Sequence, residues 1–266
     1  MVDLILSRDG AELAYQVQGD GPPLGYSHGV LLSRAAEDSL GLLDPGALAA
    51  TRHLLRYDAR GHGQSTGRRL AQDYTWPSLA DDLLAMAEVA GPGPVDWAGG
   101  SMGTGTLLWA AVRRPGKFRR LVLTIPPTTG ETRAGAAGMY ETWAKTIEAD
   151  GKAAWAAGMA QFPKPAIFES VDSYRIDADV TEELLPWVLR GAATTDLPPA
   201  EALAAVEHPT LILAWETDPV HPVSTAEYLT ATMPHATLHV SGTAEDVRGW
   251  TGRIDEFLSR QDSPGS

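Results

Sequence analysis

Apolar positions along this chain follow two rhythms, one of period two and one close to 3.6. Near the N-terminus, Leu4-Ile5-Leu6 and a partly alternating run at 12–17 flank Asp9-Gly10, a pattern that predicts a β-hairpin. After the turn-rich 19–23, residues 24–27 predict a strand running into His28-Gly29. Short apolar runs then alternate with helical spacing. Residues 54–57 read as a strand, and 77–90 as a helix with Leu79, Leu83, Leu84, Met86 and Ala87 on one face. A strand at 95–98 precedes an apolar helix at 104–112, ended near Pro115-Gly116, and 121–125 reads as a buried strand. This β-α-β alternation predicts an α/β fold, with a mostly parallel sheet and helices on both faces.

The rhythm breaks between 130 and about 206, where Ala- and Trp-rich helical patches are divided by Pro163, Pro165, Pro186, Pro198 and Pro199. It resumes with a strand at 210–215, a helix near 222–232, a strand at 236–240 and a helix at 245–259. Residues 1–129 and 206–260 are therefore expected to form the core. Residues 130–205 are expected to be a helical insertion over one edge of the sheet, and 261–266 a flexible tail.

Composition narrows the function. The chain has 266 residues, 44% of them hydrophobic, enough for a core without staples. It has no cysteine, which excludes disulfides, thiolate catalysis and Cys-based metal sites. Thirty-four acidic residues against 21 basic ones give a net charge of −13, which argues against a nucleic-acid partner. The Arg pairs at 68–69, 113–114 and 119–120 are too short for a basic stripe and read as solvated faces. Neither a signal-peptide pattern nor an apolar run long enough to span a bilayer is present, so a cytoplasmic location off the membrane is expected. With no dinucleotide fingerprint, P-loop lysine or H-E-x-x-H spacing, neither an organic cofactor nor a metal is expected.

Candidate chemistry centres on Gly99-Gly100-Ser101-Met102-Gly103, a G-x-S-x-G motif between a predicted strand and a predicted helix. The glycines leave room for a strand to turn at once into a helix, which places Ser101 on a sharp, exposed turn as a nucleophile. The Met102 N–H at the helix start is a candidate oxyanion donor. In Tyr26-Ser27-His28-Gly29-Val30, the Val30 N–H is a candidate second donor and His28 a candidate substrate contact or a structural histidine.

Together with Tyr57-Asp58-Ala59-Arg60-Gly61-His62-Gly63-Gln64-Ser65, these elements closely resemble the α/β-hydrolase superfamily, particularly its esterase, lactonase and haloperoxidase-like branch. The resemblance spans residue 11 to about 259. It implies an eight-stranded sheet, a helical cap at roughly 130–205, and a structural role for 57–65. It also implies a triad in the order Ser, acid, His. Asp218, in Trp215-Glu216-Thr217-Asp218-Pro219-Val220-His221-Pro222, matches the acid position.

The general base departs from that pattern. The loop after the last strand, 240–246, contains no histidine, nor does the chain beyond it, and Thr243 stands at the expected place. His221, three residues after Asp218, and His239, near the end of the last strand, are the candidate replacements. Glu245 or Asp246, acting through a water, is a further alternative. His53, His62, His208 and His235 are read as surface residues. Met139, Tyr140, Trp143, Trp155, Met159, Phe162 and Phe168 either line an apolar pocket over Ser101 or pack the insertion's helices together.

The leading reading is a hydrolase of a small apolar ester, lactone or thioester, acting through Ser101 with a relocated base. Two alternatives share its architecture: a cofactor-free lyase or cyclase, and a ligand-binding pseudoenzyme. Oligomeric state is left open.

Overall fold

A computed structural model describes residues 3–171, 174–218 and 220–260. The predicted tail at 261–266 lies outside the described residues, as does Pro219. The strands are β1 Leu4–Arg8, β2 Ala11–Gln18, β3 Pro23–Ser27, β4 His53–Tyr57, β5 Val95–Gly100, β6 Phe118–Thr124, β7 Thr210–Trp215 and β8 Ala236–Ser241. They form one sheet in the order β1-β2-β4-β3-β5-β6-β7-β8. β1 and β2 pair antiparallel, as do β2 and β4, and every other pair is parallel. Asp9 and Gly10 close the hairpin with φ of 43° and 76°, the doubly positive pattern of a two-residue turn matched to strand twist.

The helices are α1 Arg34–Leu40, α2 Pro45–Ala49, α3 Trp76–Ala90, α4 Met102–Arg113, α5 Glu131–Met159, α6 Leu185–Ala193, α7 Ala200–Ala204, α8 Val223–Thr232, α9 Ala244–Arg248 and α10 Trp250–Ser259. Alternate residues of the central strands face opposite layers, as the two-residue period requires. Trp97, Leu121, Leu123, Ile212 and Ala214 pack with α3, α4 and α8. Ala98, Val122, Leu211, Leu213 and Trp215 pack on the other face with α1, α2, α9 and α10. A third apolar cluster joins α5 and α6 through Tyr140, Ala144, Ile147, Trp155, Leu185, Val188 and Leu189, with Val30 and Leu31 packed against it.

The expected helix at 245–259 is divided at Gly249, whose N–H bonds to the Glu245 and Asp246 carbonyls and ends α9. α1 and α2 were not foreshadowed, because five to seven residues with few apolar positions carry no readable period. Gly151 bends α5 with φ 85° and ψ 161°. Among the described residues of 130–205 there is no strand, only an isolated bridge between His62 and Val180. No helix among the described residues is long and apolar enough to cross a membrane. One arginine read as solvated, Arg120, is instead buried.

The 57–65 turn is tied down by ionic contacts. Asp58 accepts hydrogen bonds from the Arg34 N–H and guanidinium and from the Gln64 N–H, and both charged side chains are buried. Burial alone would raise the Asp58 pKa, but these bonds more than offset it and hold the carboxyl below its usual range. Asp58→Ala leaves Arg34 buried without that partner and is expected to lower unfolding free energy by about 3–5 kcal/mol at neutral pH. A group with a depressed folded pKa contributes stability above its unfolded value and loses it as pH falls. The gap between wild type and variant in denaturant titrations should therefore narrow below about pH 4. A gap that stays constant down to acid pH contradicts this.

Candidate active site

β5 ends at Gly100 and α4 begins at Met102, so Ser101 alone makes the turn, with φ 51° and ψ −109°. This left-handed conformation is strained for a side-chain-bearing residue and stands where the neighbouring structure forces it. The Ser101 N–H bonds to the Thr124 carbonyl on β6, and its own carbonyl accepts from the Thr104 and Gly105 N–H groups. A Cβ at Gly103 would stand 2.2 Å from the Ser27 carbonyl oxygen, and one at Gly99 would stand 2.5 Å from Gly103 backbone atoms. Only glycine allows the elbow to close this tightly.

The loop after β7 supplies the next two groups. Thr217 takes a positive φ of 63°, and the turn that follows is organised by Asp218. Its Oδ1 accepts from the Val220 N–H at 2.8 Å and the His221 N–H at 3.0 Å. Its Oδ2 lies 3.0 Å from His221 Nδ1, and His221 Nε2 lies 2.8 Å from Ser101 Oγ. One carboxylate therefore shapes the turn and orients the ring. Burial would raise the Asp218 pKa, but the neighbouring His221 ring, its hydrogen bond and the two backbone donors outweigh it and keep the carboxyl low. Since a carboxylate only accepts, Nδ1 carries the ring proton and Nε2 is free to accept from the serine hydroxyl.

The loop after β3 presents backbone to the serine. A Cβ at Gly29 would stand 3.6 Å from Ser101 Cβ. Among the described residues, neither the Val30 N–H nor the Met102 N–H has a protein acceptor. The carbonyls of this loop are turned away by named donors. Gly29 O accepts from the Leu32 N–H at 3.0 Å and lies 2.8 Å from His28 Nδ1, and His28 Nε2 accepts the Ala59 N–H at 2.9 Å. That pattern sets the His28 ring neutral with its proton on Nδ1. Burial, with repulsion from His62, pushes its pKa down to about 3. Because the Gly29 carbonyl and the Val30 N–H belong to one trans peptide, fixing the first aims the second.

His28 is thus corrected from a substrate contact to a buried strut, with both ring nitrogens occupied by backbone. His62 is corrected from surface to core. It is fully buried, 2.7 Å from Val30 O and 2.8 Å from Arg60 O, because the 57–65 turn folds beneath the loop. Asp179, which no motif flagged, completes the clamp: its N–H bonds to Leu31 O and its Oδ2 accepts the Ser33 hydroxyl.

His239 is not brought to the serine. It sits on β8 opposite Leu213, with Nε2 2.8 Å from Asp246, which also pairs with Arg253. Asp246 is spent on those contacts, and Thr243 caps α9 by accepting the Asp246 N–H. Most of the aromatic residues of 130–168 pack on each other. Tyr140, Trp143 and Trp155 form a chain of edge contacts at 5.7 and 5.8 Å. Phe168 stacks on Tyr174 and meets Trp215 edge-on, whereas Phe162 is exposed. Among the described residues, no group of three His, Asp or Glu side chains is arranged to hold a metal ion.

Comparisons with known proteins agree with this architecture. The chain is 25% identical over 238 residues to a 3-oxoadipate enol-lactonase of Acinetobacter baylyi, covering 85% of this chain and 83% of that protein. A solved hydrolase from Pseudomonas aeruginosa superposes with a TM-score of 0.80 at 26% identity, covering 97% of this chain and 98% of the other. The enol-lactonase of Burkholderia xenovorans shares the fold, with a TM-score of 0.80 at 18% identity over 97% of this chain and 100% of that one. Residues 25–250 match the family model described as the alpha/beta hydrolase fold, and the chain belongs to that family.

Proposed function

We propose that the protein is a serine hydrolase of small apolar esters, lactones or thioesters, with Ser101 as nucleophile, His221 as general base and Asp218 as the acid that orients it. The carrying observation is the unbroken chain from Ser101 Oγ through His221 to Asp218, at 2.8 and 3.0 Å. In this reading Ser101 Oγ attacks the carbonyl carbon while His221 Nε2 takes its proton, and the Asp218 carboxylate steadies the imidazolium. The Val30 and Met102 N–H groups, the latter at the positive end of α4, hold the oxyanion. His221 then returns the proton to the leaving oxygen or sulfur, and a water repeats the sequence on the acyl-enzyme. The displaced histidine is accommodated because Asp218 builds the turn that presents it.

An apolar substrate is favoured by the strand-end loops around the serine. They carry Val30, Leu31, Leu32 and Ile125 and no Lys, Arg, Asp or Glu at 28–32 or 125–127. The enol-lactonase relative supports the carbonyl chemistry. Intact-mass analysis after treatment with a fluorophosphonate is expected to show a single adduct on the wild type and none on Ser101→Ala. A folded wild type that stays unlabelled, or a Ser101→Ala variant labelled as fast, would falsify the assignment and favour a non-hydrolytic or binding role.

A further inference from the structure

The carboxyl of Glu37 on α1 approaches the nucleophile elbow from the face of the sheet that carries Tyr26, and the triad makes no use of it. Its Oε1 accepts the Tyr26 hydroxyl at 3.0 Å. A Cβ on Gly100, the residue before the serine, would stand 3.9 Å from that oxygen, 3.2 Å from the Tyr26 hydroxyl and 3.1 Å from Thr124 Oγ1. The Gly29 backbone, one peptide before the Val30 N–H, also favours the ionised form of this carboxyl. Glu37 therefore lies against both backbone segments that frame Ser101.

The groups facing it are few. Tyr26 reaches it from β3 and Arg56 from β4, with the Arg56 guanidinium shared with Asp38 and the Arg34 carbonyl. Asp38, next along α1, repels it, and Thr124 on β6 lies beside the Tyr26 hydroxyl. Burial pushes the Glu37 carboxyl up to about 7, against the lowering effect of the Tyr26 hydrogen bond, the Arg56 charge and the Gly29 backbone.

Resting on the serine-hydrolase reading, we propose that Glu37 is a positioning residue of the oxyanion site: its neutral form leaves the Val30 and Met102 N–H groups free to hold negative charge, and its ionised form opposes that charge. A carboxylate whose oxygen would stand 3.9 Å from a Cβ on Gly100, the residue before Ser101, repels negative charge developing at the serine.

The test is kcat/KM for p-nitrophenyl acetate between about pH 5.5 and 9, on wild type, Glu37→Gln and Tyr26→Phe. Superimposed on the gain that comes as the general base loses its proton, wild-type activity is expected to carry a roughly tenfold decline as pH rises through the Glu37 titration. Glu37→Gln, which still accepts the Tyr26 hydroxyl, is expected to remove the decline. Tyr26→Phe deletes a donor that favours the carboxylate, and so should move the decline to higher pH without abolishing it. A purely structural Glu37 would not produce that displacement. Thermal melting supplies a readout free of turnover. A carboxyl with a raised folded pKa loses its stability contribution as pH rises, so the melting temperature of Glu37→Gln relative to wild type should climb from about pH 5 to 8. A decline that survives Glu37→Gln, one unmoved by Tyr26→Phe, or a pH-independent melting difference overturns this role alone. Absence of Ser101-dependent turnover at every pH, in wild type and Glu37→Gln alike, overturns the hydrolase reading and this role with it.

Discussion

Replacing His221 with alanine is expected to reduce kcat for an activated ester by about a million-fold, roughly 8 kcal/mol of transition-state stabilisation. Without the ring no group among the described residues within hydrogen-bond reach of Ser101 Oγ accepts its proton, and only the backbone donors remain to assist a neutral hydroxyl. His239→Ala is the paired control. Its ring sits on β8 and bonds to Asp246 of α9, and its loss should change kcat by no more than ~twofold. Single-turnover hydrolysis followed at 405 nm or by quenched mass analysis separates these outcomes. If His221→Ala keeps activity within tenfold of wild type, or if His239→Ala is the variant that fails, the relocated base is wrong.

Asp218→Asn should cost about 10⁴-fold in kcat while leaving KM and the melting temperature nearly unchanged. Asparagine retains one carbonyl oxygen, enough to accept the Val220 and His221 N–H groups and preserve the turn. In that pose the amide NH₂ replaces Oδ2 and faces Nδ1 with donors. The ring then favours the tautomer with its proton on Nε2, which cannot accept from the serine. Asp218→Ala removes the turn bonds too and should lower both activity and local order. Comparing the two variants by activity and by hydrogen exchange of the Val220 amide distinguishes orienting the base from building its loop. Equal activity in Asp218→Asn and wild type would assign the carboxylate to the turn alone.

Much of this architecture is legible locally. The Asp9-Gly10 hairpin, the strands at β4 to β8 and helices α3, α4 and α8 follow from side-chain period and turn chemistry within windows of ten to twenty residues. The elbow is equally local, since Gly99 and Gly103 flank Ser101 in sequence and their missing side chains are what let β5 and α4 meet. Asp218 is readable as a turn-former, and the family resemblance makes it the proposed acid by its place after the strand at 210–215. What the local signal lacks is any record of depth. His28 and His62 look alike as His-Gly dipeptides beside polar residues, yet both are buried under the loop they hold, because the 57–65 turn folds back beneath residues 28–31. Glu37 and Asp179 belong to no motif, and only long-range packing brings them to the serine's surroundings.

The choice between His221 and His239 was of the same kind. Both lie near the ends of neighbouring strands, and spacing from Asp218 did not separate them. Strand register does: His239 pairs with Leu213, two residues below the level at which Trp215 and Ser241 end β7 and β8, so it sits in the body of the sheet. His221 lies beyond the end of β7, on a turn that folds over the carboxyl edge where Ser101 stands. Period and turn residues are set by neighbours in sequence, so the chain alone determined most of the elements, the elbow and the turn that carries Asp218. Which imidazole reaches the serine depends on the stagger of parallel strands brought together across about 120 residues of chain, a through-space relation that only the folded sheet decides.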